Sequence, residues 1–356
     1  MEFDPRRLMK EHFGKTLKTS KPLVGEVDNN FFVETSDGDS FNLKIANPES
    51  SPESLDLQNK ALAHLKQKAV PFLIPEVVPN EKGEYITTIT DLAGRARFVR
   101  LLKWIPGRLW TEVCPHSRYL IQSLGQLAGT MSRSLSDFDH PAAQRFIKWD
   151  PSQASWTKVH LSEIEGNDRI KTAKYFLHLF ESQAKGRLDL CRKGVNYNDY
   201  NDHNILVSSD LENPRVIGVI DFGDMVFSQT VNEVAIASAY AMMAKPEPLS
   251  VAMNIVEAFN GVYPLQEEEI AMIFPLIAAR LVVSVTCSAM NRKEHPENEY
   301  LLVSERSAWN LLEKLKIIHP DFAHYAFRQA CGLEPCPLNR DYQNWLDKNR
   351  LNIGEI

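Results

Sequence analysis

Hydrophobic and polar positions fall into short runs near the start of the chain and into helical stripes further on. Residues 31–35 and 40–46 flank Ser36-Asp-Gly-Asp39, a pattern that predicts a β-hairpin with glycine at its turn. Ser51, followed by Pro52 and Glu53, opens a helix that carries Leu55, Leu62 and Leu65 on one face. Residues 100–107 read as a strand that stops at Pro106-Gly107. From Arg118 the spacing turns helical through Leu120, Leu124, Leu127, Met131 and Leu135, and again through Ile170, Ala173, Leu177 and Phe180. Two apolar runs, 204–207 and 216–220, joined by the polar stretch 208–214, predict a second hairpin. Beyond Asp224 nearly everything reads as helix, including 233–244 and 270–285. The pattern predicts an α+β chain, with a small mixed unit over 1–102 and a larger, mostly helical one over 103–356, hinged near 102–107.

Composition narrows the setting. The net charge is -6 and no basic tract stands out, which argues against a nucleic-acid partner. A nucleotide would be held by a metal and a few placed cations, not by a positive field. The five cysteines are odd in number and scattered, so they suggest no disulfide framework and fit a reducing cytoplasm. Residues 1–13 are charged throughout, unlike an export signal. The apolar stretch 273–285 is short for a bilayer span and contains Arg280, so no membrane association is expected.

The candidate chemistry lies in residues 196–207 and 216–224. Asp199, Asn204 five positions later, and Asp221 beyond a short strand have the spacing used for phosphoryl transfer. There an Asp accepts the proton of the substrate hydroxyl, while an Asn and a second Asp hold Mg2+, a hard cation that takes oxygen ligands. Lys44, on the second strand of the first hairpin, would contact the phosphates of ATP or GTP, its orienting partner being Asp56 or Gln58 on the next helix. Backbone groups around Lys103 to Ile105 would meet the base edge, with Trp104 or Ile105 lining the pocket; the alternative is an ordinary strand end. The acceptor pocket is expected between the Asp199 loop and the C-terminal helices. An acceptor carboxylate would call for a forked cation, for which Arg280 is the first candidate; the alternative is a salt bridge to a protein acid. Arg145, Trp149 and Asp224 are further candidates for that pocket.

With these residues in view, the chain resembles the aminoglycoside phosphotransferase-like small-molecule kinases, and among them hydroxylysine kinase and its bacterial relatives. The resemblance rests on Asn42-Leu-Lys-Ile-Ala46, Asn201-Asp-His-Asn-Ile-Leu206 and Gly218-Val-Ile-Asp-Phe-Gly-Asp-Met225, and extends through 233–237 and 296–300. It implies a bilobal protein-kinase-like fold, a small N-terminal sheet lobe and a larger helical lobe. It also implies Asp199 as base, Asn204 and Asp221 as magnesium ligands, and Lys44 on the nucleotide phosphates. The acceptor it implies is a small hydroxylated, amino-bearing molecule, with hydroxylysine first and homoserine, choline-like alcohols and aminoglycosides as alternatives. A catalytically silent nucleotide-binding relative is the competing class. The chain departs from the family where a His-Gly pair usually precedes the catalytic Asp, since Tyr197 and Asn198 stand there. Tyr197 would brace the loop through its hydroxyl. The segment over the phosphates, 25–31, has one glycine, and Asn30 is the residue expected to touch phosphate.

Overall fold

A computed structural model describes residues 3–25, 28–294 and 305–353. Positions 26–27 of the segment over the phosphates and the 296–300 region lie outside the described residues. In chain order the elements up to the hinge are α1 (Pro5–Phe13), β1 (Leu17–Leu23), β2 (Asn29–Thr35), β3 (Ser40–Ile45), α2 (Pro52–Gln67), β4 (Val77–Val78), β5 (Thr87–Thr90) and β6 (Ala96–Lys103). Their strands form one antiparallel sheet in the order β1-β2-β3-β6-β4, with β5 also on β6. On β3, Phe41, Leu43 and Ile45 are buried on one face, together with Phe31 and Val33 of β2 and Met9 and Phe13 of α1. The period-2 alternation of a strand therefore sends Asn42 and Lys44 to the other face.

On that other face Arg100 of β6 reaches Gln58 and Asn59 of α2. Ser51 caps this helix, its Oγ accepting from Ser54 N at 3.1 Å, with Pro52 in the first turn. Leu57, Ala61, Leu62 and Leu65 of α2 join Leu102 of β6 in the core of the second lobe, so the helix straddles both parts.

The second lobe holds β7 (Arg108–Leu109), α3 (Arg118–Leu135), α4 (Asn167–Gln183), β8 (Lys193–Asn196), β9 (Ile205–Val207), β10 (Val216–Val219), β11 (Val226–Gln229), α5 (Val231–Met242), α6 (Pro248–Val262), α7 (Glu267–Glu294), α8 (Glu305–Leu315), α9 (Pro320–Ala330) and α10 (Asn339–Ile353). Most of these match the sequence pattern. The exception after Asp224 is β11, which pairs antiparallel with β8, Val226 opposite Asn196. Four residues are too few to show a period, and only the distant partner makes them a strand. The apolar helix α7 is longer than the pattern suggested. By length and composition it could cross a bilayer, yet here it is packed inside the lobe, with Ile273, Leu276, Ile277, Leu281 and Val282 wholly buried.

Beyond the hinge, the two lobes also meet through the chain at Leu73. Its N–H donates to Ile217 O at 2.7 Å, and its carbonyl accepts from Val219 N at 3.2 Å. A Cβ on Gly218 would lie 2.4 Å from Leu73 O, so this approach requires glycine on β10.

Candidate active site

Two antiparallel pairs, β8–β11 and β9–β10, hold the ends of the loop 197–204 and of the turn that carries Asp221. Asn198 sits in the left-handed region at φ 68, a conformation that Asn adopts more readily than most side chains. This explains why Asn serves where the family uses Gly. Tyr197 is fully buried, and its Oη donates to Ile220 O at 2.5 Å, tying the loop to the residue before Asp221. Its ring meets Tyr200 and Phe222 edge-on at 4.9 and 5.0 Å. Glu233, in the first turn of α5, is the buried anchor of the loop. It accepts from Asn198 N at 2.8 Å, Tyr197 N at 3.2 Å and Tyr200 Oη at 3.0 Å. Burial raises its carboxyl to about 7 against the pull of these donors. The sequence offered no signal for this role, because the residues it joins are distant along the chain.

Asp199 Oδ1 accepts from Asn201 Nδ2 at 2.8 Å, and its Oδ2 from Asn204 Nδ2 at 2.5 Å. With its nitrogen so engaged, Asn204 has its amide oxygen left for a cation. Asp221 takes the left-handed conformation at φ 58, stabilised by Gly223 N donating to its Oδ1 at 3.0 Å. Both carboxylates reach solvent, the Asp199 side chain being 15% exposed and that of Asp221 40%. Their electrostatics diverge. Burial and then the charge of Asp224 lift Asp199 well above the usual carboxylate range, Asp221 adding to the rise while Arg280 and the Asn201 amide oppose it. Burial also pushes Asp221 upward, but Lys44, the Gly223 N–H and Arg100 outweigh it, and its carboxyl lies below the ordinary value.

Lys44 faces this cleft. Its Nζ is 3.1 Å from Asp221 Oδ2 and 3.7 Å from Asp28 Oδ2. Neither expected helix partner reaches it. Asp56 pairs with Lys60 at 2.7 Å and His140 at 3.1 Å, and Gln58 accepts from Arg100 at 2.6 Å. The reason is the strand register: Arg100 stands opposite Lys44 on β6 and reaches α2 first. Asn30 stands opposite Lys44 on β2, with its Nδ2 on Asp28 O at 3.3 Å and its buried Oδ1 without a partner.

At the hinge, the Lys103 and Trp104 N–H groups are already used, donating to Glu76 O at 2.8 Å and Ser40 O at 3.0 Å. These two N–H groups are engaged within the protein, and Ile105 is the last residue before Pro106 with an N–H. The Lys103 side chain turns to Glu76 at 3.2 Å, and Trp104 meets Phe32 edge-on at 4.9 Å.

Arg280 meets a protein acid, as one of its two expected roles has it. Its NH2 is 3.8 Å from Asp199 Oδ1 and 3.1 Å from Tyr240 Oη, while NH1 donates to Trp149 O. Its guanidinium lies over the Trp149 ring at 4.8 Å. Arg280 thus meets Asp199, Tyr240 and Trp149, while its buried Nε has no partner among the described residues. Arg145 donates to Gly223 O and Met225 O, each at 2.7 Å, and so braces the turn after Asp221. Asp224 lies close enough to act on Asp199, Arg145 and Arg280. A cavity of about 1270 Å³ lies away from Asp199, Asn204 and Asp221, between α2 and the β4–β5 region, lined by Leu62, Leu65, Phe72, Ile74 and Tyr85.

Residues 19–264, more than half of the chain, match the model of the phosphotransferase enzyme family. The chain belongs to this family. It is 29% identical over 332 residues to hydroxylysine kinase of Mus musculus, covering 86% of this chain and 87% of that one. The Danio rerio hydroxylysine kinase is 28% identical over 320 residues, covering 86% and 89%. Among solved structures, an amicoumacin kinase in complex with AMP-PNP, Ca2+ and its ligand superposes at TM-score 0.66 with 14% identity, over 88% of this chain and 94% of that one. A microcompartment-associated aminopropanol kinase gives 0.60 with 17% identity, over 88% and 93%. The fold is thus the bilobal kinase-like one. Family and site together make this chain a small-molecule kinase with a nucleotide as donor.

Proposed function

We propose that this chain transfers the γ-phosphate of ATP or GTP to a hydroxyl of hydroxylysine, with Mg2+, in a reducing cytoplasm. The observation that carries this reading is that Lys44, Asp199, Asn204 and Asp221 meet in one cleft of a chain matched along most of its length to hydroxylysine kinases. A magnesium ion suits the cleft: Asn204 and Asp221 offer hard oxygen ligands, with the Asp199 carboxylate beside them. Asn204 Oδ1 and Asp221 would hold it, and it would neutralise charge on the phosphates.

Asp199 aligns the acceptor hydroxyl and takes its proton. Asn201 and Asn204 fix the carboxylate plane, and Arg280 keeps it from drifting. Lys44 turns to the nucleotide phosphates, with Asn30 beside it. The acidic surroundings of Asp199, with Asp202 and Asp224 near, favour an acceptor that carries ammonium groups.

The test is a turnover screen with magnesium and either ATP or GTP across hydroxylysine, homoserine, choline, aminopropanol and an aminoglycoside. Phosphohydroxylysine as the main product supports the reading. Preference for another acceptor replaces the substrate, and nucleotide binding without turnover on any acceptor makes the chain a silent relative.

A further inference from the structure

One feature of the cleft roof has no part in the chemistry above. Asn30, Lys44 and Arg100 stand in one row across β2, β3 and β6, so their side chains share a face of the sheet. Arg100 is buried, and its fork ends on two neutral acceptors of α2, Gln58 Oε1 at 2.6 Å and Asn59 Oδ1 at 3.1 Å. These amides hold the helix to the sheet but leave the guanidinium charge uncancelled. Asp28 and Asp221 act on Arg100 through their charge, and those same two carboxylates contact Lys44. The roof is therefore a quartet of two cations and two anions.

The balance changes when a donor enters. If, as proposed above, Lys44 turns to the phosphates and Asp221 to the metal, Asp28 is left beside an incoming polyanion with its lysine gone. Asp28 itself stays in place, because its Oδ1 accepts from Asn47 N at 3.0 Å. We propose that Arg100 is a positioning residue for the phosphoryl donor: it remains fixed on α2 as the counter-charge for Asp28 and so allows Lys44 to leave for the phosphates. The usual strand-lysine to helix-carboxylate pair is here divided, Arg100 clamping the helix and Asp28 holding the lysine.

The test separates charge from clamp. Magnesium–nucleotide affinity and melting temperature are measured for the wild type, Arg100→Gln, Arg100→Lys, and Arg100→Gln combined with Asp28→Asn. Lysine keeps the charge but cannot fork onto both amides. Arg100→Gln is expected to weaken nucleotide binding by about tenfold, and Asp28→Asn to restore most of that loss in the double variant. Arg100→Lys is expected to bind nearly as the wild type does while melting as low as Arg100→Gln. Equal weakening in the lysine and glutamine variants, or no rescue by Asp28→Asn, reduces Arg100 to a clamp and overturns the proposal. If the wild type binds no magnesium–nucleotide, it is the kinase reading that fails.

Discussion

Replacing Tyr197 by Phe removes one oxygen from the site and leaves every ring contact in place. In the native chain that oxygen donates to Ile220 O at 2.5 Å, and the ring packs on Tyr200 and Phe222. Phe keeps the packing but leaves the half-buried Ile220 carbonyl short of its donor, at a cost of about 1 kcal/mol. On a lobe of this size that corresponds to a fall in melting temperature of a few degrees. The kinetic effect should be larger than the thermal one suggests. Ile220 immediately precedes Asp221, so the lost bond loosens the metal-ligand turn relative to the Asp199 loop; a displacement near 1 Å costs roughly 100-fold in a positioned reaction. We expect turnover with saturating nucleotide and acceptor to drop by about 10- to 100-fold. Tyr197→His, which returns the family's usual residue, is expected to recover part of it through an imidazole donor. Calorimetry and steady-state rates on the three proteins decide the matter. If Tyr197→Phe melts and turns over as the wild type does, the hydroxyl is not a brace and the loop is held by Glu233 alone.

Asp199→Asn should lower turnover by at least ~100-fold with nucleotide affinity largely kept, measured by rates and by nucleotide titration; unchanged turnover removes its role as base. Asp221→Ala should weaken magnesium–nucleotide binding itself, and a variant that binds as tightly as the parent is not missing a ligand. Glu233 provides a pH signature. Its folded carboxyl titrates near about 7 against an ordinary 4.5, so the folded state holds the extra proton between these values and loses stability as pH rises through them. The penalty removed in Glu233→Gln approaches ~3 kcal/mol above the folded value, so urea unfolding should show the variant gaining on the wild type between about pH 5 and pH 8. A difference that does not change with pH would show that the carboxyl is not perturbed.

The sequence alone determined the elements whose signals are local. Helical spacing marked α3 and α4, the Ser51-Pro52 start marked α2, and the turn at 36–39 marked the β2–β3 hairpin. The chemical trio 199, 204 and 221 was legible for the same reason, since a loop, a short hairpin and a turn confine those side chains within one stretch of chain. Tertiary structure decided the partners. That Lys44 rests on Asp28 and Asp221 while Arg100 takes Gln58, that Glu233 holds the backbone of Tyr197 and Asn198, that Arg145 reaches the turn after Asp221 and that Arg280 reaches Asp199 all depend on strand register and helix placement. Periodicity reports which face of an element is buried. It carries no information on which distant charge arrives there, because that is set by how the whole chain closes and by which of several competing donors reaches an acceptor first.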